Sequence, residues 1–311
     1  MGSSTTRYAV NQCALYKVTS PSQLADRLRI SLSDLEAIAS RKDNYNVFSK
    51  TINGKVRTVE EPKLKLQQLH KRINDLLARI ATPNYLHSAI KGRSYLTNAR
   101  AHLGSEPLIK VDVRSFFRSV KKVSVFKFFQ KTMHCADDVA GLLANLLTVE
   151  GHLPTGSSSS PIISYYAHKE MFDEVEALAK KHNLEMTCYV DDMAISGQHA
   201  SRAVLFKARA IIAKHGLKSH KAHYFSAKKP KVITGVVATK AGYRLPNRRH
   251  QKIMEGFQAF RAADTVEAKL FVLRALISRL HEAASIDPAW SPRAKALLAE
   301  RRTLEAKASQ L

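Results

Sequence analysis

The sequence is poor in cysteine, tryptophan, acidic residues and long apolar runs. Its three cysteines, Cys13, Cys135 and Cys188, are far apart and lack CxxC spacing. That excludes a disulfide framework and a zinc ribbon, and points to a reducing, cytoplasmic compartment. No stretch approaches a membrane span, and residues 1–20 lack the apolar segment of a secretory signal, so no membrane partner is expected. Met1-Gly2-Ser3-Ser4-Thr5-Thr6 fits a myristoylation pattern, but the pattern is permissive and no second membrane signal accompanies it. Acid is the sharpest deficit: 26 Asp and Glu face 50 Lys and Arg, a formal charge of +24. From Met193 to Met254 there is no acidic residue at all, and between Asp75 and Glu106 the only Lys or Arg residues are Arg79, Lys91, Arg93 and Arg100, with no acid among them. A solvated surface mixes signs, so one-signed stretches of this length suggest a surface that follows a phosphate backbone.

Against this basic background stands Thr187-Cys188-Tyr189-Val190-Asp191-Asp192-Met193-Ala194-Ile195-Ser196-Gly197. Apolar residues alternate on both sides of an acidic pair, which predicts a strand, a tight turn and a second strand. An Asp-rich hairpin tip is often only a surface turn. The apolar flanks draw this one toward a core, where adjacent carboxylates call for a hard divalent cation. Leu108-Ile109-Lys110-Val111-Asp112-Val113 reads as a buried strand ending in a carboxylate, with a helix expected from Ser119 toward Gln130. A strand-end carboxylate and a hairpin pair could share two metal ions, the arrangement that clamps both oxygens of a phosphoryl transfer.

The remaining chain predicts a mixed α+β class. Ser20-Pro21 opens one short helix, and Ser33-Asp34-Leu35-Glu36 fits a capping box for a second. Phe48 to Glu60 reads as a hairpin about Asn53-Gly54 that carries Lys50, Lys55 and Arg57. Those cations have two readings: edge-strand protection, or a grip on a polyanion. Pro62 is expected to open a helix with Leu66, Leu69, Ile73, Leu76 and Leu77 on one face. Single helices are expected at 162–182 and 203–214, one strand at 231–237, and a helical region from Arg248 to about Ser285 whose core candidates are Phe257, Phe260, Val266, Leu270, Leu273 and Leu276. A charged helix follows Trp290.

Tyr189-Val190-Asp191-Asp192 resembles the YxDD box of reverse transcriptases, and the Asp112 segment is similar to their first catalytic motif. Leu153-Pro154-Thr155-Gly156 through Ser160-Pro161 resembles the family's LPQG loop, with Thr155 in place of Gln. Asn98-Ala99-x-x-His102 and Ile233-Thr234-Gly235 resemble the NAxxH and VTG elements of the bacterial retron type. The matches fall in the family's order over residues 45–285.

The resemblance implies a right-hand polymerase: an N-terminal helical extension (1–47), fingers (48–107), a palm with an antiparallel sheet (108–240, with interleaved fingers elements at 119–150), and a thumb with a C-terminal RNA-binding region (241–311). It implies RNA-directed DNA synthesis with Asp112, Asp191 and Asp192 as the catalytic acids. Asp112, Val113, Asp191 and Asp192 would form the metal-binding set for two Mg²⁺ ions, with Mn²⁺ a possible substitute. Lys50, Lys55, Arg57, Phe117, Thr155 and Gly156 would contact the incoming dNTP. Phe117 is either the aromatic beneath the sugar or a core residue beside Phe116. In Gly216-Leu217-Lys218-Ser219-His220-Lys221-Ala222-His223, where the family usually carries a Lys, Lys221 or His223 is the candidate proton donor, unless His223 only caps local structure. Asn98, His102, Arg248 and Arg249 would bind RNA, with bracing of the fingers an equal reading for the first two. The retron resemblance further implies a cognate structured noncoding RNA, a multicopy single-stranded DNA product primed from an internal 2′-hydroxyl, a role in phage defence and a separate effector protein. A group II intron type and an inactive RNA-binding scaffold are the alternatives.

Overall fold

The computed structural model describes residues 7–52, 54–102 and 104–308, without the side chain of Ile52. Asn53 of the expected hairpin turn and the 1–6 pattern lie outside the described residues. In chain order the elements are α1 (Pro21–Leu28), α2 (Leu32–Ser40), β1 (Tyr45–Ile52), β2 (Lys55–Pro62), α3 (Leu64–Leu77), α4 (Tyr95–Arg100), β3 (Leu108–Val113), α5 (Phe116–Ser119), α6 (Lys122–Lys127), α7 (Asp137–Leu147), α8 (Ser160–Ala167), α9 (Lys169–Lys181), β4 (Glu185–Tyr189), β5 (Asp192–Ser196), α10 (Arg202–Lys214), β6 (Ser219–Phe225), β7 (Lys231–Ile233), β8 (Val236–Thr239), β9 (Gly242–Arg244), α11 (Asn247–Ala262), α12 (Val266–Ile286) and α13 (Ser291–Ala308). The class is α+β, as expected. The chain forms two compact units, Met1–Ser94 with Ile109–Tyr224, and Tyr95–Leu108 with Phe225–Leu311.

The first unit is built on a four-stranded sheet in the order β4-β5-β3-β6. One face of β3 is buried, with Ile109, Val111 and Val113 at 0% exposure, and Leu108 is buried at its start, which leaves the two polar residues, Lys110 and Asp112, on the half-open opposite face. Ser20 caps α1 by accepting the Gln23 N–H at 3.3 Å, with Pro21 at the first helical position. α2 is capped two residues earlier than expected: Ser31, not Ser33, accepts the Asp34 N–H at 3.1 Å, because left-handed Arg29 (φ 61°) turns the chain before it. Pro62 ends β2 rather than opening a helix; it pairs with Tyr45, and the Lys63 N–H still donates to Asn44. α3 then starts at Leu64 and buries the predicted face.

Two other expectations shift. The helix predicted from Ser119 is broken at Val120-Lys121, since Phe116–Ser119 turns separately to bury Phe116. The single helix at 162–182 is two, α8 and α9, with His168 in a non-helical conformation (φ −127°, ψ 25°) between them.

The second unit carries a three-stranded antiparallel meander, β7-β8-β9, with α4 and the helices α11, α12 and α13. The expected strand at 231–237 is a hairpin. Thr234 (φ 44°) and Gly235 (φ 82°) both adopt left-handed backbone, the requirement of a type I′ turn. Of the expected helical core, Leu273 and Leu276 are buried, whereas Phe257, Phe260, Val266 and Leu270 are half-buried and Phe271 is 79% exposed. Lys231, at the start of β7, makes a polar tie within this unit. Its fully buried ammonium donates to the Gly104 carbonyl at 2.5 Å and the Ala227 carbonyl at 3.2 Å.

Candidate active site

The β4–β5 hairpin has the predicted form, with Tyr189 paired to Asp192 across a two-residue turn of Val190 and Asp191. Val190 sits at φ 61°, a conformation that a β-branched residue adopts only under constraint, at a cost on the order of 1–3 kcal/mol. The constraint is visible. The Val190 N–H donates to buried Ser88 Oγ at 3.0 Å, the Cys188 N–H donates to the Tyr85 carbonyl at 2.7 Å, and the His87 N–H donates to the Cys188 carbonyl at 2.8 Å. On the other side the Val113 N–H donates to the Asp191 carbonyl at 3.2 Å. These bonds fasten the turn to β3 and bring Asp191 to Asp112. Burial first, and then the Asp112 charge, pushes the Asp191 carboxyl well above the ordinary carboxylate range.

Lysines frame the acids. Lys110 Nζ lies 3.0 Å from Asp192 Oδ2, both side chains being about one-quarter exposed or less. Lys221 Nζ lies 3.3 Å from Asp112 Oδ2, and left-handed backbone at Lys221 (φ 44°) accompanies the contact. Burial raises the Asp192 carboxyl, while Lys110 opposes the shift. Two ammonium groups against three carboxylates leave one negative charge uncompensated, and Asp192 Oδ1 is buried without a hydrogen-bond partner. Among the described residues no three His, Cys, Asp or Glu side chains form a ready-made metal cage. Mg²⁺ characteristically takes one or two carboxylates and completes its shell with water and phosphate oxygens, so Asp112 and Asp191, with Asp192 beside them, fit such an ion.

The LPTG loop is held by buried polar contacts. Glu60 on β2 accepts from Arg118 Nη2 at 2.8 Å and from the Thr155 N–H at 3.1 Å, and its Oε1 lies 3.1 Å from His152 Nε2. Burial alone would raise Glu60, but these partners hold its carboxyl below the usual range. Thr155 Oγ1 donates to the Thr58 carbonyl and accepts the Glu60 N–H, so its hydroxyl is committed to β2. Gly156 lies so close to that strand that a Cβ would meet the Glu60 carbonyl oxygen at 2.8 Å. His70 Nδ1 meets Ser157 Oγ at 2.6 Å and Nε2 meets the Leu146 carbonyl at 2.7 Å.

Lys50, Lys55 and Arg57 are exposed on the β1–β2 hairpin, with Lys50 directly opposite Arg57. Phe117 is half-buried against Phe116, which takes the core position among Phe172 and His168. Of the two proton-donor candidates, Lys221 reaches the acids, while His223 is exposed on β6. In the second unit Asn98 and His102 are fully buried, and Asn98 Nδ2 donates to Thr234 Oγ1 at 3.4 Å. Arg248 is exposed, whereas Arg249 lies 3.0 Å from Glu282 and over the Tyr95 ring. Sequence reasoning missed Lys110. Its signal was its place two residues before Asp112, on the same face of the strand.

Residues 41–240 match the profile described as Reverse transcriptase (RNA-dependent DNA polymerase). The chain belongs to that family. Within it the chain is similar to retron enzymes. It is 33% identical over 148 residues to the retron Se72 reverse transcriptase of Salmonella heidelberg (strain 579083-10), covering 46% of this chain and 38% of that one. It is 26% identical over 273 residues to the retron Mx162 reverse transcriptase of Myxococcus xanthus, covering 76% and 56%. The chain thus spans between about two-fifths and just over half the length of these two relatives. A solved foamy viral protease–reverse transcriptase in complex with double-stranded DNA aligns over 96% of this chain and 46% of its own, with 14% identity and a TM-score of 0.49. No helix among the described residues is long and apolar enough to cross a membrane.

Proposed function

We propose that the protein is an RNA-directed DNA polymerase of the retron type. The observation that carries the reading is the convergence of Asp112 and Asp191, with Asp192 adjacent, on strands tied by the Val113–Asp191 bond. Asp112 and Asp191 would hold the metals, with Val113 next to Asp112 completing the set and Asp192 supplying further negative charge. Two Mg²⁺ ions, or Mn²⁺, when bound would activate the primer hydroxyl and neutralise the triphosphate and leaving pyrophosphate. On the hairpin, Lys50 faces Arg57 across the strands, a repulsive pair that a bound triphosphate would relieve, with Lys55 beside them. Phe117, which leaves the core position to Phe116, is the aromatic available to exclude a 2′-hydroxyl. Thr155 and Gly156 hold the LPTG loop against β2, which supports a role in shaping the nucleotide site through backbone rather than through the threonine hydroxyl. The contact between Lys221 and Asp112 supports Lys221, more than His223, as the proton donor.

In the assignment we favour, residues 48–107 are fingers, 108–240 palm and 241–311 thumb, with 1–47 as a helical extension. The template would be a cognate structured noncoding RNA, primed from an internal 2′-hydroxyl to give multicopy single-stranded DNA, and a separate effector would complete a cytoplasmic anti-phage system. The basic start of α11, with Arg248 exposed, supports RNA contact there. Asn98 and His102 would act by supporting the unit from within. Primer extension on RNA and DNA templates tests the reading. Asp191→Asn should retain folding and RNA binding and lose DNA synthesis, because an amide cannot supply the charge that holds the metal. Near-normal extension by that variant would overturn the assigned site.

A further inference from the structure

Two residues beyond Asp112, the chain leaves β3 and lines a cavity of about 420 Å³ with Arg114, Ser115, Arg118, Ser119 and Lys121. Lys218, just before β6, closes the other wall. The walls are fastened together: the Arg114 N–H donates to the Lys218 carbonyl at 2.8 Å, Ser119 Oγ donates to the Arg114 carbonyl at 2.9 Å, and Lys121 Nζ donates to the Arg118 carbonyl at 3.1 Å. No Asp or Glu among the described residues lines the cavity. Arg118 is charge-paired with Glu60, but no ion pair among the described residues engages Arg114, Lys121 or Lys218. The backbone therefore fixes the cavity while three cations facing it stay uncompensated. Like charges gathered in one cleft raise its potential and favour an anion.

We propose that Arg114, Arg118, Lys121 and Lys218 form a second anion site, separate from the carboxylate centre, for a ligand with closely spaced phosphate groups. The guanidinium groups offer planar double donation to phosphate oxygens, and the lysines and serine hydroxyls can complete the shell. The volume, on the order of fourteen water molecules at ~30 Å³ each, suits more than one phosphate. Such groups come either from a free polyphosphate or from the backbone of a nucleic-acid strand. The site goes beyond the polymerase reading and does not depend on it, because it concerns binding alone.

The test uses the full chain carrying Asp191→Asn, so that nothing is turned over. The probes are inorganic tripolyphosphate, followed by calorimetry, and a fluorescein-labelled single-stranded RNA, followed by anisotropy, both in 150 mM salt. Lys121→Gln with Lys218→Gln removes two exposed cations of the cavity. Lys127→Gln with Lys131→Gln removes the same charge elsewhere. The cavity pair should weaken at least one probe about tenfold, as loss of two charge-assisted contacts at a partly exposed site implies, with the control pair within about twofold of the parent. Selective loss of tripolyphosphate binding identifies a free polyphosphate as the source. Selective loss of RNA binding identifies a strand. Unchanged binding of both probes, or equal loss from the cavity and control pairs, would overturn the site.

Discussion

Replacing Lys110 by Met removes the ammonium beside Asp192 and keeps most of the side-chain volume. At 3.0 Å and an effective dielectric constant near 20, the direct attraction is roughly 5 kcal/mol. Desolvation of both groups offsets most of it, and each side chain keeps a fifth to a quarter of its surface in water, so a net loss of about 1–2 kcal/mol is expected. The loss should be largest without metal, since three carboxylates would then face Lys221 alone. In EDTA the variant should melt about 2–4 °C below the parent at pH 7.5. In saturating Mg²⁺ the gap should narrow, because the ion supplies the charge that lysine no longer does. Asp192→Asn in the Lys110→Met background should recover part of the loss, the coupling expected of an ion pair. Identical melting of Lys110→Met and parent in EDTA, with no coupling in the double variant, would refute the counter-charge role.

The buried histidines predict acid sensitivity. Burial holds the His70 ring at a pKa of about 4, with the Leu146 carbonyl opposing that shift; burial, and then His215, likewise takes His168 to about 4. Both folded values lie below the unfolded one, so each ring's contribution to stability is complete above pH ~6.5 and falls as pH drops toward 4, by about 1.4 kcal/mol per unit, while the raised Asp191 carboxyl acts in the opposite sense. His70→Gln should lower overall stability yet cut the protons taken up on unfolding across that window by about one; an unchanged slope in urea titrations would disprove the His70 assignment. Phe117→Val should raise ribonucleotide incorporation in primer extension and cost less than about 1 kcal/mol, whereas Phe116→Val, at 3% exposure, should cost about 2–4 kcal/mol. An unchanged sugar ratio would place discrimination elsewhere.

What could be read from sequence was what depends on neighbours along the chain. Alternation around Asp191 and Asp192 gave the hairpin, because a strand's two faces are separated at every residue. The same rule placed Asp112 on β3 and could have paired Lys110 with it as a face-mate. It could not say that Lys110 would serve Asp192, which lies on another strand. Helix punctuation was less legible. His168 carries no breaker signature, and α8 and α9 read as one apolar-periodic run. The fold divides them to stack Tyr166 on Phe128 and seat Phe172 against Phe116. At 231–237, β-forming residues concealed a turn marked by one glycine, since Thr234 takes a left-handed conformation that its side chain disfavours.

Motif resemblance singled out Asn98, His102 and the Ile233-Thr234-Gly235 segment, but a motif records only that a residue type is required. Burial and ligand contact impose that requirement equally well. Here the carboxamide of Asn98 is 0% exposed, its nitrogen reaches Thr234 Oγ1, and Thr234 Oγ1 in turn donates to the Tyr95 carbonyl at 2.8 Å. The two segments carrying the retron likeness therefore meet each other inside one unit. Tyr95 also donates its hydroxyl to Glu282, and Glu282 pairs with Arg249, so the chain of polar contacts runs from α4 through the β7–β8 turn to α11 and α12. An exposed cation such as Arg248 can be exchanged for another without disturbing that chain, whereas its members, from buried Asn98 to partly exposed Glu282, each hold a polar partner within the unit. Residue identity along this run of contacts is thus set by internal partners, which a motif read from sequence does not distinguish from contact with a ligand.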